Sequence, residues 1–251
     1  MSSATRARFA EVVRAEPVPV GLAALLIAAE AEPSLDIDAS LAALDALAER
    51  ARPLVLSRGA APGLLAALED FSGSESDFDQ LRSSLLPEVL RRRRGLPLLL
   101  SIVWVEVASR LDVAASYAAL PGHVVVVLGD LEDEHTIADP FRGRLVEGPV
   151  VALSAHELLL RLLTNIRALT TRQSRTLDAA RTRLWAVELS LLLPAHPMVL
   201  RRERGELLVR LGGHLDGAAA LEAYADLVEP ADEGEAEECR REARQARARL
   251  N

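Results

Sequence analysis

The sequence of 251 residues contains no lysine, and all 29 of its basic residues are arginine. The chain therefore offers no ε-amine of its own for Schiff-base chemistry or acyl transfer. Its single cysteine, Cys239, excludes a disulfide framework and favours a cytoplasmic location. Arginine in place of lysine, together with abundant alanine and leucine, indicates a GC-rich bacterial genome.

Long hydrophobic runs are also missing. The most apolar stretches, VGLAALLIAAEAE and LPLLLSIVWVEVA, reach a charged residue well before the ~18–20 residues that a membrane-spanning helix needs. The first residues, MSSATRARFAEVV, lack the apolar centre of a signal peptide. We therefore expect a soluble, cytoplasmic protein that does not bind membranes.

The charge balance argues against nucleic-acid binding. The net charge is −8, whereas nucleic-acid binding normally needs a basic face. The only dense basic run is residues 91–94, directly before Gly95. We interpret this run as a solvated helix end, and a contact with a phosphate or an acidic partner is the alternative.

The first third of the chain has a helical pattern. PVPVGLAALLIAAEAEP has proline at both ends and predicts a helix from Val20 to Ala31. A second amphipathic helix follows and is expected to end before Pro53. SSLLPEVLRRRR predicts a helix capped by Ser83 or Ser84.

The helical pattern continues past this arginine-rich segment. Gly95 is expected to end the helix that carries the arginines, and Pro97 suits the first turn of the next helix. That next helix should run to about Leu111.

The pattern then changes to strands. The β-branched run at residues 124–128 is too short for a helix and is typical of a buried strand. HTIAD and GRLVE read as two more short strands. These segments predict an α+β fold that is mostly α, with a small antiparallel sheet.

The last hundred residues are predicted to be helical again. Ser154 and Glu157 have capping-box spacing at the start of a helix. Two helix–proline–helix units follow, with Pro194 and Pro230 spaced 36 residues apart, close to the tetratricopeptide period of about 34. We predict three regions: an N-terminal helical region (1–70), a core (71–152) and C-terminal helical hairpins (153–251).

Two residues in the strand region suggest a catalytic arrangement. His123 begins one strand and Asp139 ends its neighbour, so the two side chains can meet. Such an aspartate fixes the histidine tautomer in Cys/Ser-His-Asp sites. The third member belongs at a helix N-terminus, where the dipole favours a thiolate or an oxyanion. That helix is the one beginning near Pro97.

At this point the chain resembles the SirB-type proteins, which have a transglutaminase-like core followed by tetratricopeptide-like helices. The matching segments are GLAALLIAAEAEPSLD, SSLLPEVLRRRRGLP, EVASRLDV, LPGH, ADPFRGRL and RRERGELLVRLG. The resemblance implies a papain-like Cys-His-Asp core in which His123 and Asp139 match. The nucleophile position falls on Leu99, and neither Leu98 nor Leu100 could replace the nucleophile.

Several chemical alternatives remain open. Ser101 is the nearest hydroxyl, but it points about 200° around the helix from position 99, so we interpret it as bonded to a backbone carbonyl. A metal site formed by His123, His135 and Asp139 is disfavoured by their spacing. His123 acting as a general base through water is a further possibility. RGELLVRLGG is read as a hairpin turn and not as a phosphate loop, and we predict no cofactor and no metal.

Two functions follow from these observations. The first is a non-catalytic transglutaminase-like module with Leu99 at the nucleophile position, which binds a protein or peptide partner. The alternative is a cysteine- or serine-protease-like hydrolase or acyltransferase that uses His123 and Asp139 with a noncanonical nucleophile. We favour the first, so an enzymatic activity is not expected, and the sequence leaves the partner and the oligomeric state open.

Overall fold

The computed structural model describes residues 3–130, 133–173 and 176–249. Within these ranges the chain forms eleven α-helices and a five-stranded sheet. The first part contains α1 (Ser3–Val12), α2 (Val20–Ala31), α3 (Ile37–Arg58), α4 (Ala60–Ala67), α5 (Leu86–Arg92), α6 (Pro97–Ser109), β1 (Ala115–Leu120), β2 (His123–Gly129), β3 (His135–Asp139), β4 (Arg144–Val146) and β5 (Val151–Ala152). The second part contains α7 (Ala155–Gln173), α8 (Leu177–Ser190), α9 (Val199–Arg210), α10 (His214–Val228) and α11 (Glu233–Ala248). The predicted fold class is confirmed.

The chain divides into two compact units, residues 1–162 and 163–251, with the boundary inside α7. The segments predicted as an N-terminal region and a core both fall in the first unit. No helix in the described part of the chain is both long and apolar enough to cross a membrane.

The first unit is organised around α6 and the sheet. The strand order is β4-β3-β2-β1-β5, and the pairs between neighbours are antiparallel. α6 is buried along nearly its whole length and packs against β1 and β2. A helix enclosed along most of its length has no need of a polar face, which explains why its sequence is apolar except at Ser101, Glu106 and Ser109.

The second unit contains two helical hairpins, α8–α9 and α10–α11. Each hairpin encloses its own apolar cluster, formed by Ala180, Leu184, Val187, Leu200 and Leu207 in the first and by Ala218, Leu221, Ala243 and Ala246 in the second. Gly212, with φ +90°, and Gly213 form the turn between α9 and α10, as predicted for the glycines of RGELLVRLGG, whereas Gly205 lies inside α9.

Pro53 does not end α3, as predicted from the sequence, but lies inside it. The proline ring removes one hydrogen bond of the helix ladder. Pro53 is exposed, so water can satisfy the carbonyl group that loses its partner. The packing of Leu44, Leu47 and Ala51 on the buried side keeps the helix continuous.

The ends of α5 also differ from the prediction. Neither Ser83 nor Ser84 caps it, because both lie in a 3-10 turn (Leu81–Ser84) and the N-cap position is Leu85. The helix ends at Arg93, which adopts a left-handed conformation with φ +55°, and not at Gly95.

The strands β1 and β5 were not predicted from the sequence. β1 has the sequence ASYAAL, in which only Tyr117 favours a strand, and β5 has only two residues. The pairing of β1 with the valine-rich β2 fixes its conformation.

Candidate functional site

A tight hairpin turn places His123 at the end of the sheet. Leu120 of β1 pairs with His123 of β2, so only Pro121 and Gly122 connect the strands. Gly122 has φ +72°, and proline followed by such a glycine is the pair that a type II turn requires. The LPGH segment is therefore explained by turn chemistry as well as by the histidine.

The register of the sheet brings Asp139 to the same side as His123. Val126 pairs with Ala138, so one residue further on Asp139 falls opposite Val125. His123 lies two residues beyond Val125 along β2 and thus on the same face. Diagonal neighbours of this kind are within reach of long side chains.

His123 and Asp139 form a hydrogen bond, with Nε2 of the histidine 2.8 Å from Oδ1 of the aspartate. The carboxylate is fully buried, and the imidazole is partly exposed. Because Nε2 contacts the carboxylate, Nδ1 is the ring nitrogen left to meet a nucleophile or a ligand. The assignment of the two residues as a relic catalytic pair stays a prediction.

Asp139 is held by more than the histidine. Its Oδ1 accepts hydrogen bonds from the backbone N–H groups of Phe141 and Arg142, each at 3.1 Å, and its Oδ2 accepts one from Nη1 of Arg142 at 3.1 Å. Burial alone would raise the pKa of Asp139, but the bonds from His123 and Arg142 outweigh it, so the pKa lies below its ordinary value. The carboxylate is therefore ionised at neutral pH.

Phe141 connects this pair to the segment before α6. Its ring lies 5.7 Å from the ring of His123, edge to face, and 6.0 Å from the ring of Phe78. It also covers Gly73, where a Cβ atom would meet the Phe141 ring and would lie 2.5 Å from the carbonyl oxygen of Gly95. The His123–Asp139 pair thus lies beside the turn that leads into α6.

The start of α6 offers no accessible nucleophile. Leu98, Leu99 and Leu100 are all buried, and Leu99 is fully so. The Oγ of Ser101 donates to the carbonyl oxygen of Pro97 at 2.9 Å, as predicted for a helix-interior serine. The same Oγ lies 3.4 Å from the carbonyl oxygen of Val124, the residue after His123, and is fully buried.

The segment before α6 is fixed by a buried aspartate that sequence analysis missed. Asp77 is fully buried and accepts hydrogen bonds from Ser74, Ser83, Arg92 and Arg94. Burial alone would raise the pKa of Asp77. The hydrogen bonds from the two serines and from Arg94 lower it by more than burial raises it, so the pKa lies below its ordinary value. The polar composition of SGSESDFDQ is typical of a loop and gives no sign that one of its carboxylates is buried.

The arginine run is paired within the chain and is not simply a solvated helix end. Arg92 and Arg94 bind Asp77, and the side chain of Arg92 is only 14% exposed. Arg93 pairs with Asp70, and Arg91 pairs with Glu88. Of the three carboxylates that pair with these arginines, only Asp77 is buried, and it lies in the polar segment 74–79.

The other histidine of the predicted metal alternative lies apart from the pair. His135 is exposed, and its Nδ1 lies 3.0 Å from the carbonyl oxygen of Asp133. In the described ranges, no group of three or more histidine, cysteine, aspartate or glutamate side chains is arranged to hold a metal. Cys239 is buried inside the second unit, and burial raises the pKa of its thiol.

Comparison with known proteins assigns the family. A family model described as the transglutaminase-like superfamily matches residues 38–187, more than half of the chain. The chain belongs to the transglutaminase-like superfamily. The matched segment of this superfamily member contains α6, the whole sheet, His123 and Asp139.

Two bacterial relatives resemble this superfamily member over long segments. A UPF0162 protein of Xylella fastidiosa is 28% identical over 243 residues, covering 84% of this chain and 85% of that protein. A UPF0162 protein of Pseudomonas aeruginosa is 35% identical over 153 residues, covering 59% of this chain and 54% of that protein.

A solved structure resembles the chain more weakly. The crystal structure of menin, which reveals the binding site for the Mixed Lineage Leukemia (MLL) protein, aligns at a TM-score of 0.47 with 15% identity. The alignment covers 96% of this chain and 67% of menin. A likeness of this strength carries no argument about function.

Proposed function

We propose that this superfamily member is a non-catalytic, SirB-type transglutaminase-like protein that acts in the cytoplasm as a protein-interaction or regulatory module. The observation that carries the proposal is the full burial of Leu99 at the predicted nucleophile position, in a chain that keeps an ordered His123–Asp139 pair. The C-terminal hairpins α8–α9 and α10–α11 are proposed to be tetratricopeptide-like.

A histidine–aspartate pair without a nucleophile is a poor acyl-transfer catalyst. In a well-studied protease, removal of the triad serine costs roughly 10⁶ in turnover. No acyl-enzyme can form on a leucine, so the pair could act only by activating water. The hydrogen bonds of Asp139 to Phe141 and Arg142 give both members a structural role that does not require turnover.

The surroundings of the pair offer a surface for a partner. Phe78 is 44% exposed beside Phe141, and Arg142 is 57% exposed over the buried Asp139. Aromatic and arginine side chains are the types that dominate protein interfaces. We infer that a partner of this superfamily member contacts this face of the first unit.

A hydrolase or acyltransferase with a noncanonical nucleophile is the second candidate. The 2.8 Å contact between His123 and Asp139 favours it, because the aspartate holds the ring with Nδ1 free to act. Ser101 would be the nucleophile, since its Oγ approaches the strand residue next to His123. Its burial would have to be relieved before a substrate could reach it.

A matched set of variants tests the choice. Hydrolysis of p-nitrophenyl acetate and of fluorogenic peptide amides is measured for the wild type, His123→Ala and Ser101→Ala. We expect all three proteins to give the same background rate. A rate that falls in both variants, with unchanged melting temperatures, would establish the second candidate and contradict the first.

An engineered nucleophile tests the register of the site. In a Cys239→Ala background, Leu99→Cys is compared with Leu98→Cys and Leu100→Cys for alkylation by iodoacetamide. We expect His123→Ala to slow alkylation of the Leu99→Cys protein and to leave the other two unchanged, because only that thiol would lie beside the imidazole. Equal effects on all three would refute position 99 as the nucleophile site.

The interaction role is tested at Phe78. A photocrosslinking phenylalanine analogue is placed at position 78 and, as a control, at Leu56, an exposed residue on α3. We expect position 78 alone to crosslink a distinct protein in cells, and Arg142→Glu to abolish that product. Identical products from both positions would contradict an interface at this face.

A further inference from the structure

A groove in the second unit has the features of a ligand site. It encloses about 240 Å³ between the end of α8, the outer side of α9 and α10. Leu191, Ala220, Ala223 and Leu227 form its apolar part, and Tyr224 and two arginines complete the lining. Binding sites for whole small molecules usually enclose about 300–1,000 Å³, so this groove fits one or two residues of a chain better than a complete cofactor.

The groove follows from how closely α9 and α10 pack. A Cβ atom on Gly205 would lie 2.8 Å from Leu221, and one on Gly217 would lie 2.8 Å from the backbone nitrogen of Val209. The helices therefore touch through glycine on one side. On the side facing the groove, Ala220 and Ala223 carry too little side chain to fill the space.

Two arginines of α9 lie at the rim of the groove. Arg201 and Arg204 both line it, three residues apart on one helix face, where two like charges repel. Arg201 also lies in the first turn of α9, which contains no acidic residue, and a cation near a helix N-terminus opposes the helix dipole.

Arg201 differs from its neighbours in having no carboxylate partner. Arg202 contacts four glutamates, and Arg204 pairs with Glu188. Among the residues that the structure describes, none forms an ion pair with Arg201, which is exposed at the groove. Arg201 thus presents a guanidinium without an ion-pair partner at the edge of the groove.

We propose that this groove binds the free carboxyl terminus of a partner polypeptide whose last side chain is aliphatic. The terminal carboxylate pairs with Arg201, and the last side chain packs between Leu191 and Leu227. A chain end suits the site because it presents an anion and an apolar group on one residue. A polypeptide chain end is thus the ligand class for the proposed interaction role, and the expectation that the ligand is a polypeptide rests on that role.

Synthetic peptides on an array test this directly. The full-length protein is probed against decapeptides with randomised last four positions, each made as a free acid and as a C-terminal amide. The best binder is then titrated by fluorescence anisotropy. We expect free acids ending in leucine, isoleucine or valine to bind and their amides to bind at least about tenfold more weakly, because a charge-assisted hydrogen bond is lost.

Three variants locate the binding. Arg201→Gln removes the charge, and Ala223→Phe fills the groove. Each variant should weaken peptide binding roughly tenfold or more. Arg241→Gln, at an exposed arginine of α11, should leave it unchanged. Circular dichroism melting confirms that each variant folds.

The results that overturn the proposal are distinct from those that bear on catalysis. Equal binding of acids and amides, wild-type affinity in Arg201→Gln, or no peptide bound at all would each overturn it. Binding of laurate that Arg201→Gln abolishes, with no peptide bound, would identify a fatty acid as the occupant and also overturn it. None of these outcomes depends on His123, so the proposed non-catalytic role stands or falls separately.

Discussion

Nε2 of His123 lies 2.8 Å from Oδ1 of Asp139, and that same oxygen accepts the backbone N–H groups of Phe141 and Arg142. One buried carboxylate oxygen thus connects the first residue of β2 with the turn that follows β3. The pair therefore stabilises the end of the sheet whether or not it takes part in a reaction.

Asp139→Asn should lower the free energy of unfolding by about 1–3 kcal/mol at pH 7, because it weakens hydrogen bonds to a buried carboxylate. The pKa of Asp139 in the folded protein lies below its value of ~3.9 in an unfolded chain. Its stabilisation is therefore present above pH ~4 and is lost as the pH falls through the folded pKa. Urea unfolding at pH 7, 5 and 3.5 measures the difference between wild type and variant.

The expected result is a difference that shrinks below pH ~4. Glu32→Gln, at an exposed glutamate of the same unit, serves as the control and should show no comparable change. A difference between wild type and Asp139→Asn that stays constant from pH 7 to 3.5 would show that the charge of Asp139 contributes nothing.

Asp77→Ala should destabilise the protein by about 3 kcal/mol, because it leaves the largely buried Arg92 without its partner. Glu75→Ala alters an exposed carboxylate in the same segment and should cost well under 1 kcal/mol. Both are measured by urea unfolding at pH 7. Equal losses would mean that segment 72–84 does not depend on its buried carboxylate.

Gly73→Ala should displace the ring of Phe141, since the added methyl group would occupy the same space. We expect a loss of about 1–3 kcal/mol and a changed NMR signal for the imidazole of His123, which Phe141 contacts. Gly234→Ala, in the first turn of α11, serves as the control and should cost much less, because the added Cβ would meet only Oδ1 of Asp232, at 3.3 Å. An unchanged His123 signal in Gly73→Ala would contradict the contact chain from segment 72–84 to the site.

Arg202→Gln should destabilise the second unit, because Glu206, Glu235, Glu238 and Glu242 would repel one another without their shared cation. Burial raises the pKa of Glu242 despite the opposing effect of Arg202, so the pKa should rise further in the variant. A carboxyl group with a raised folded pKa costs stability when ionised, and the variant should recover relative to wild type as the pH falls from 7 to 4.

Thermal unfolding at 0.05 M and 0.5 M NaCl provides the second measurement for Arg202→Gln. Screening should reduce the deficit at high salt. Arg241→Gln, whose guanidinium is more exposed, should be nearly neutral under both conditions. A deficit in Arg202→Gln that is independent of both salt and pH would indicate lost packing instead of charge repulsion.

The sequence predicted the elements whose pattern is local. The limits of α2 and the start of α6 are marked by prolines, and the valine run marks β2, so these were found. β1 was missed because its alanines have little strand preference and only the partner β2 imposes the conformation. The end of α3 was predicted wrongly at Pro53, because the tertiary packing of α3 offsets the cost of the proline. Local sequence patterns carry no information about that packing.

The site was predictable in part for the same reason. The sequence placed His123 at the start of one strand and Asp139 at the end of the next, because the strand patterns themselves end at these residues. Asp77 was not, since its burial depends on Arg92 and Arg94, more than a dozen residues away. Arg201 could not be predicted as a binding residue, because nothing in a sequence distinguishes an unpaired arginine from a paired one.

The full burial of Leu99 also constrains how this chain can change over generations. Replacing a buried leucine with a much smaller residue costs about 2–5 kcal/mol, a large share of the 5–15 kcal/mol that holds a typical domain folded. A lineage that placed cysteine or serine at this position would first pass through a less stable protein with no activity to compensate. Leucine at position 99 is therefore easier to retain than to exchange for a smaller residue by a single substitution.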